Sequence, residues 1–191
     1  MSEVLEIRWH GRGGQGAKTA ALLFGEAALD TGQYIQAFPE YGPERTGAPV
    51  AAYNRLSQKP IRIHSGIKNP DIVVVLDPSL IEPAGATEGI KPGGILLVNT
   101  TESAAELRRR FSIRLDIKVY AVDASKIALE TIGKDMPNTP MLGALVRVTG
   151  ILDYDAAMKA IEHKLSSKFR DEALVKKNLA SVKRAFEEVR E

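Results

Sequence analysis

Apolar residues fall into short runs separated by longer stretches in which they recur every three or four positions, and this alternation predicts the order of the elements. The runs are Val4–Trp9, Tyr34–Phe38, Val50–Leu56, Asp71–Leu76, Ile95–Asn99 and Lys118–Val122, rich in the β-branched and aromatic residues that suit strands. Ile72–Leu76 and Ile95–Val98 are apolar at every position. A strand without alternation is covered on both faces, which implies a largely parallel sheet between helices. Helix signals fill the gaps. Ala17–Leu29 is helix-forming, Ser103 and Glu106 make a capping-box pair, and Asp123 and Asp153 can cap the helices after them. Thr139 before Pro140 predicts an N-cap and first turn for a helix running to about Val148, and Asp153 opens another over Tyr154–Leu165.

The expected fold is therefore α/β: a single Rossmann-like domain with a mostly parallel sheet flanked by helices, and a C-terminal helix. The chain reads as one domain over 1–191, with a core to about 165 and a helical extension over about 166–191. In that extension Val175, Leu179, Val182, Phe186 and Val189 form a heptad-like stripe among charged residues. Such a stripe either folds back onto its own sheet or docks on a partner subunit.

The densest local signal is His10-Gly11-Arg12-Gly13-Gly14-Gln15-Gly16, between the first run and the first helix. Glycines here allow a sharp turn and bare N–H groups at a helix N-terminus, where the helix dipole adds partial positive charge for an anion. Gly11, Gly13 and Gly16 also satisfy G-x-G-x-x-G. The same spacing serves a tight corner whose glycines only permit close helix–sheet packing, and both readings stay open.

A second unusual stretch, Pro39–Pro49, holds three prolines and two glycines. The loops leaving the first and second strands of a parallel sheet share its carboxyl edge, so Glu40–Pro49 is expected beside the glycine corner, where ligands of open α/β sheets bind. Arg12 and Arg45 can offer planar donors to a phosphate or carboxylate there. Glu44 and Arg45 can equally pair with each other and brace the loop. His10 is the histidine placed to see this rim, in a hydrogen-bonding rather than a proton-transfer role. His64 and His163 stand in unrelated contexts, and neither metal-ligand spacing nor a triad is evident.

Composition narrows the function by exclusion. A formal charge of +2, from 26 basic and 24 acidic side chains, gives no field that argues for nucleic acid or an anionic membrane. There is no cysteine, so the chain itself has no disulfide and no thiolate ligand for an iron–sulfur cluster. No Walker A sequence and no thiamine diphosphate motif occur. The charged residues before the first run, and the lack of an apolar run near ~20 residues, predict a cytoplasmic protein without signal or membrane span.

Three segments together carry a family resemblance: Ile7–Ala17; Ala37-Phe38-Pro39 with Tyr41–Val50; and Asn138-Thr139-Pro140-Met141-Leu142-Gly143-Ala144. In this order they resemble the gamma subunit of 2-oxoacid:ferredoxin oxidoreductases, over the chain to about Leu165. Glu44-Arg45-Thr46-Gly47-Ala48-Pro49-Val50 is most similar to the pyruvate and branched-chain members. The resemblance implies a cytoplasmic hetero-oligomer with alpha, beta and delta subunits that delivers electrons to ferredoxin. Thiamine diphosphate, Mg and iron–sulfur clusters would reside on the partners, and coenzyme A would be the co-substrate. This chain would bind no cofactor alone and hold no catalytic or metal-ligating residue, acting as scaffold and active-site wall. Its rim, Gly11, Arg12, Gly13, Gly14, Gln15, Gly16, Glu44, Arg45 and Thr46, would be its part of the coenzyme A site. The alternative is a free-standing NAD- or nucleotide-binding enzyme, with Glu40 as the ribose-binding acid. A purely structural assembly module is a third reading.

Overall fold

The computed structural model describes residues 4–29, 32–40 and 46–191. Its strands are β1 (Val4–Arg12), β2 (Tyr34–Pro39), β3 (Pro49–Ser57), β4 (Ile72–Val75), β5 (Ile95–Asn99) and β6 (Lys118–Val122). Its helices are α1 (Ala17–Ala28), α2 (Ala104–Arg110), α3 (Ala124–Ile132), α4 (Asn138–Thr149), α5 (Tyr154–Lys168) and α6 (Glu172–Glu188). The α/β sheet flanked by helices matches the expectation, and every apolar run became a strand.

The strands form one sheet in the order β2-β3-β1-β4-β5-β6. β1, β4, β5 and β6 pair in parallel, whereas β3 is antiparallel to both β1 and β2. The connection from β2 to β3 covers only residues 40–48. A parallel crossover needs a dozen or more residues, so the chain turns back and β3 comes to lie between β2 and β1. β2 still points the same way as β1, and its C-terminal end still reaches the edge that carries the glycine corner.

Alternation along β1 splits its side chains between two cores. Ile7 and Trp9 face α1 and α4, with Val74 and Leu97 beside them. Trp9 Nε1 donates to Asn54 Oδ1 at 2.7 Å, and Asn54 Nδ2 donates to the Ala21 carbonyl at 2.8 Å, so this buried polar pair ties β1 and β3 to α1. The opposite face holds Val73, Val75, Leu96, Val98 and Val119 under Leu107 of α2 and Ile81 and Ile90 of the segment after β4. At β1 and β3, however, that second face is polar: Arg8, His10 and Arg55 are buried there.

Side-chain caps open α2 (Ser103, with Glu106 completing the box), α3 (Asp123), α5 (Asp153) and α6 (Asp171). α4 departs from the expected start. Its N-cap is Pro137, and Thr139 and Pro140 lie buried inside the first turn without a capping hydrogen bond. Proline is tolerated there because first-turn N–H groups have no partner within the helix. α6 folds back, but onto helices rather than strands, packing on α4, α3 and α5. Val175, Val182 and Ala185 are buried, and Leu179, Phe186 and Val189 pack against the same core. The close approach is at Gly143, where any Cβ would strike the Val182 carbonyl. Beyond α6, Arg190 exchanges backbone hydrogen bonds of 2.8 and 3.0 Å with Ala121, covering the β6 edge.

Candidate functional site

β1 does not stop at Trp9 but runs on to Arg12, so Gly11 is a strand residue, paired with Val50. A Cβ at Gly11 would lie 3.1 Å from Leu76 Cδ1 and 3.2 Å from Ala17 Cβ, which makes it a packing glycine between sheet and helix. Gly16 does something else. It caps α1 at φ +84, and a Cβ there would lie 2.7 Å from Asn138 Nδ2, so the starts of α1 and α4 meet at this residue. Gly13 joins the corner to the second loop: its N–H donates to Ala48 at 2.8 Å and its carbonyl accepts from Gly47 at 3.0 Å. The expected neighbourhood of glycine corner and β2–β3 loop is therefore observed at residues 46–48. Glu44 and Arg45 lie outside the described residues.

Arg12 points into the molecule's own framework. Its Nε donates to Asp77 Oδ2 at 2.9 Å, and its terminal nitrogens donate to the Gly47 carbonyl at 3.0 Å and Ser79 Oγ at 2.8 Å. Gln15 folds back on the same cluster, accepting from Arg12 N at 2.8 Å and donating to Asp77 Oδ2 at 3.2 Å. Burial pulls the Asp77 carboxyl upward, but hydrogen bonds from Ser79, Gln15 and Arg12 outweigh it and hold the group below the usual carboxylate range. Asp77 thus stays ionised and anchors three segments at once.

What remains open at the rim is a cavity of about 400 Å³. It is lined by Arg12, Gly13, Gly14, Gly16, Ala17, Lys18 and Thr19 of the corner and α1, and by Pro39, Glu40, Thr46, Val50, Ala51 and Met136. The first turns of α1 and α4 carry neither a side-chain cap nor an acidic residue, unlike the four capped helices. The amide groups at the start of α1 are accordingly left for another acceptor. Lys18, exposed in that first turn, adds a cation. Sequence reasoning missed Lys18, which reads as part of a solvated helix face, and Asp77 and Asn138, which only the fold brings to the corner.

His10 is corrected by the structure. It lies within β1, 6% exposed, on the sheet face away from α1, and not on the glycine rim. Burial, then the neighbouring Arg8 charge, lowers its pKa to about 4, so its ring is neutral near pH 7. Among the described residues no group of three or more His, Asp or Glu could hold a metal ion, and no helix is long and apolar enough to cross a membrane.

The sequence pattern of the family described as pyruvate ferredoxin/flavodoxin oxidoreductase matches residues 6–188. The chain belongs to that family. It is 50% identical over 185 residues to the pyruvate synthase subunit PorC of Thermotoga maritima, covering 97% of this chain and 94% of that protein. It is 47% identical over 184 residues to the common gamma subunit of the pyruvate/ketoisovalerate oxidoreductases of Pyrococcus abyssi, covering 96% of each. The crystal structure of the Thermotoga maritima pyruvate oxidoreductase subunit superposes with a TM-score of 0.85 at 46% identity, over 99% of this chain and 98% of that one. The chain is thus a gamma-type subunit of a pyruvate or related 2-oxoacid:ferredoxin oxidoreductase, one polypeptide of a multi-subunit enzyme. The free-standing nucleotide enzyme loses its footing, since β3 separates β2 and Glu40 from β1, whereas a dinucleotide fold pairs those two strands directly.

Proposed function

We propose that the rim of this subunit binds the anionic end of coenzyme A in the assembled enzyme and forms part of the wall around the reacting centre. The observation that carries this reading is the uncapped start of α1, whose free amides, with Lys18, line the rim cavity. Thiamine diphosphate with Mg, and the iron–sulfur clusters, belong to the alpha, beta and delta partners, which pass electrons to ferredoxin in the cytoplasm. This chain's residues do not suit a cluster, having no cysteine. Gly14, Gly16 and Lys18 supply donors, Arg12, Gln15 and Asp77 hold the corner's shape, Thr46 lines the rim from the other loop, and Arg45, next to it in sequence, is the further donor this reading assigns.

The test is Lys18→Ala and Arg45→Ala in the reconstituted complex, with Michaelis constants measured separately for the 2-oxoacid and for coenzyme A. A charge-assisted hydrogen bond is worth about 1.5–3 kcal/mol, so each loss raises the coenzyme A constant about ten- to a hundredfold and leaves the 2-oxoacid constant in place. Normal assembly with an unchanged coenzyme A constant in both variants returns the corner to a packing role. The isolated chain is expected to be folded and catalytically silent, and turnover by it alone would overturn the subunit reading.

A further inference from the structure

The sheet face opposite α1 carries a second cavity, of about 420 Å³, over β1 and β3. Its inner wall is Arg8, His10 and Tyr53, all buried, and its mouth carries the exposed Glu40, Lys68 and Glu88. Arg8 commits its two terminal nitrogens to the carbonyls of Ile67, Lys68, Ala86 and Glu88, at 2.7–3.3 Å. These bonds fasten the two covering segments over the strand. Its Nε–H has no partner, and neither has Nε2 of His10. The described residues contain three such orphaned side-chain atoms, and two of them belong to residues lining this one cavity. A buried polar atom left without a partner is costly, the more so on a charged group. A fold that keeps two beside a cavity of ligand size points to a partner from outside.

We propose that this cavity binds a small zwitterion of the amino-acid type, its carboxylate turned inward to Arg8 and His10 and its ammonium held at the mouth by Glu40 and Glu88. The charge arrangement selects both ends. The inner wall offers a cationic donor with no acid among its three side chains, while two carboxylates against one ammonium make the mouth net negative. A simple carboxylate would meet the net negative charge of that mouth, and a simple amine would meet the Arg8 charge inside. Burial, then the nearby Glu40 charge, raises the Tyr53 hydroxyl's pKa, so the phenol stays neutral beside that mouth acid. Both orphaned nitrogens are shielded from bulk water, where a charge-assisted bond is strongest, so the ligand reaches them only when the groups that cover them give way. The site stands apart from the glycine corner, sharing only Glu40 and Ala51 as a common wall.

The test uses the full chain labelled with ¹⁵N-histidine, the His10 signals being assigned through His10→Asn, and titrates alanine, propionate and ethylamine. Alanine is expected to move the His10 ring signals saturably, and propionate and ethylamine to require at least about tenfold higher concentrations. Ala84→Trp fills the cavity from outside the strands and abolishes the alanine response. Glu88→Gln, at an exposed position, weakens alanine binding but not propionate binding, and keeps the proposal open to refutation if the tryptophan variant does not fold. No response to alanine, an equal response to all three probes, or a response indifferent to Glu88→Gln overturns it.

Discussion

Arg12 Nε lies 2.9 Å from Asp77 Oδ2, a contact between residues 65 positions apart that closes the carboxyl edge of the sheet at its centre. Arg12 ends β1 and Asp77 follows β4, so the pair ties neighbouring parallel strands, while Gly47 and Ser79 complete the guanidinium's contacts. An arginine that reads in sequence as a ligand donor also braces the rim whose cavity it lines.

Asp77→Asn and Arg12→Ala should therefore act alike. The side chains are 19% and 35% exposed, so solvent screens the pair and each change should cost about 1 kcal/mol in denaturant unfolding. In the assembled enzyme both should shift the coenzyme A constant in the same direction. A shift confined to Arg12→Ala would instead show direct contact with the ligand. Because the Asp77 pKa is depressed, its contribution is present above about pH 4 and is lost as the pH falls through the lowered folded value.

Gly16→Ala should destabilise the chain by about 1–3 kcal/mol, since φ +84 is strained for any side chain and Asn138 Nδ2 stands 2.7 Å from the new carbon. Adding Asn138→Ala should recover most of the steric part, the Asn138 Cβ staying 3.2 Å away, and leave the conformational part. Gly14→Ala is the comparison: at φ +101 with nothing within 4 Å, it carries the conformational cost alone. Equal losses for Gly14→Ala and Gly16→Ala in urea unfolding would refute the Asn138 contact.

Gly143→Ala should push α6 off α4, because the new methyl group meets the Val182 backbone rather than a side chain that can turn away. Overpacking of this kind costs about 1–3 kcal/mol or more, and for a chain of this size each kcal/mol lowers the thermal midpoint by about 2–4 °C. Deleting residues 171–191 should lower it further by exposing the seam that Val175, Val182 and Ala185 cover. An unchanged midpoint for either variant would show that α6 does not stabilise the isolated subunit.

His10 should impose an acid-side slope on stability. Its folded pKa of about 4 lies below the ordinary 6.5, so between those values the unfolded chain takes up a proton that the folded one refuses. Stability falls as the pH drops through this window, by on the order of 3 kcal/mol in total, and the loss levels off below about pH 4. The charge facing the ring is Arg8, which acts in the same direction as burial. His10→Asn should flatten the curve between pH 6.5 and 4 relative to the unmodified chain, as read by urea midpoints.

Much of the architecture was legible because it is local. β-branched runs at Ile72–Val75 and Ile95–Asn99 declare strands buried on both faces, and the caps at Ser103, Asp123 and Asp153 act within three residues of themselves. The candidate site was legible in part for the same reason, since a glycine corner is written in consecutive residues. Lys18, one residue past Ala17, carries no such local signal, because a lysine in a helix pattern reads as solvated surface.

By itself the sequence determined the elements, their order, the glycine corner and the family. Only the tertiary structure decided that β3 lies between β2 and β1, that Arg12 serves Asp77, that His10 faces the second cavity, and that Asn138 packs on Gly16. The division has one physical cause. Helix caps, turns and apolar periodicity are energies between near neighbours along the chain, whereas the direction in which a strand's alternate side chains point, and which distant carboxylate an arginine meets, depend on strand pairing between residues far apart in sequence.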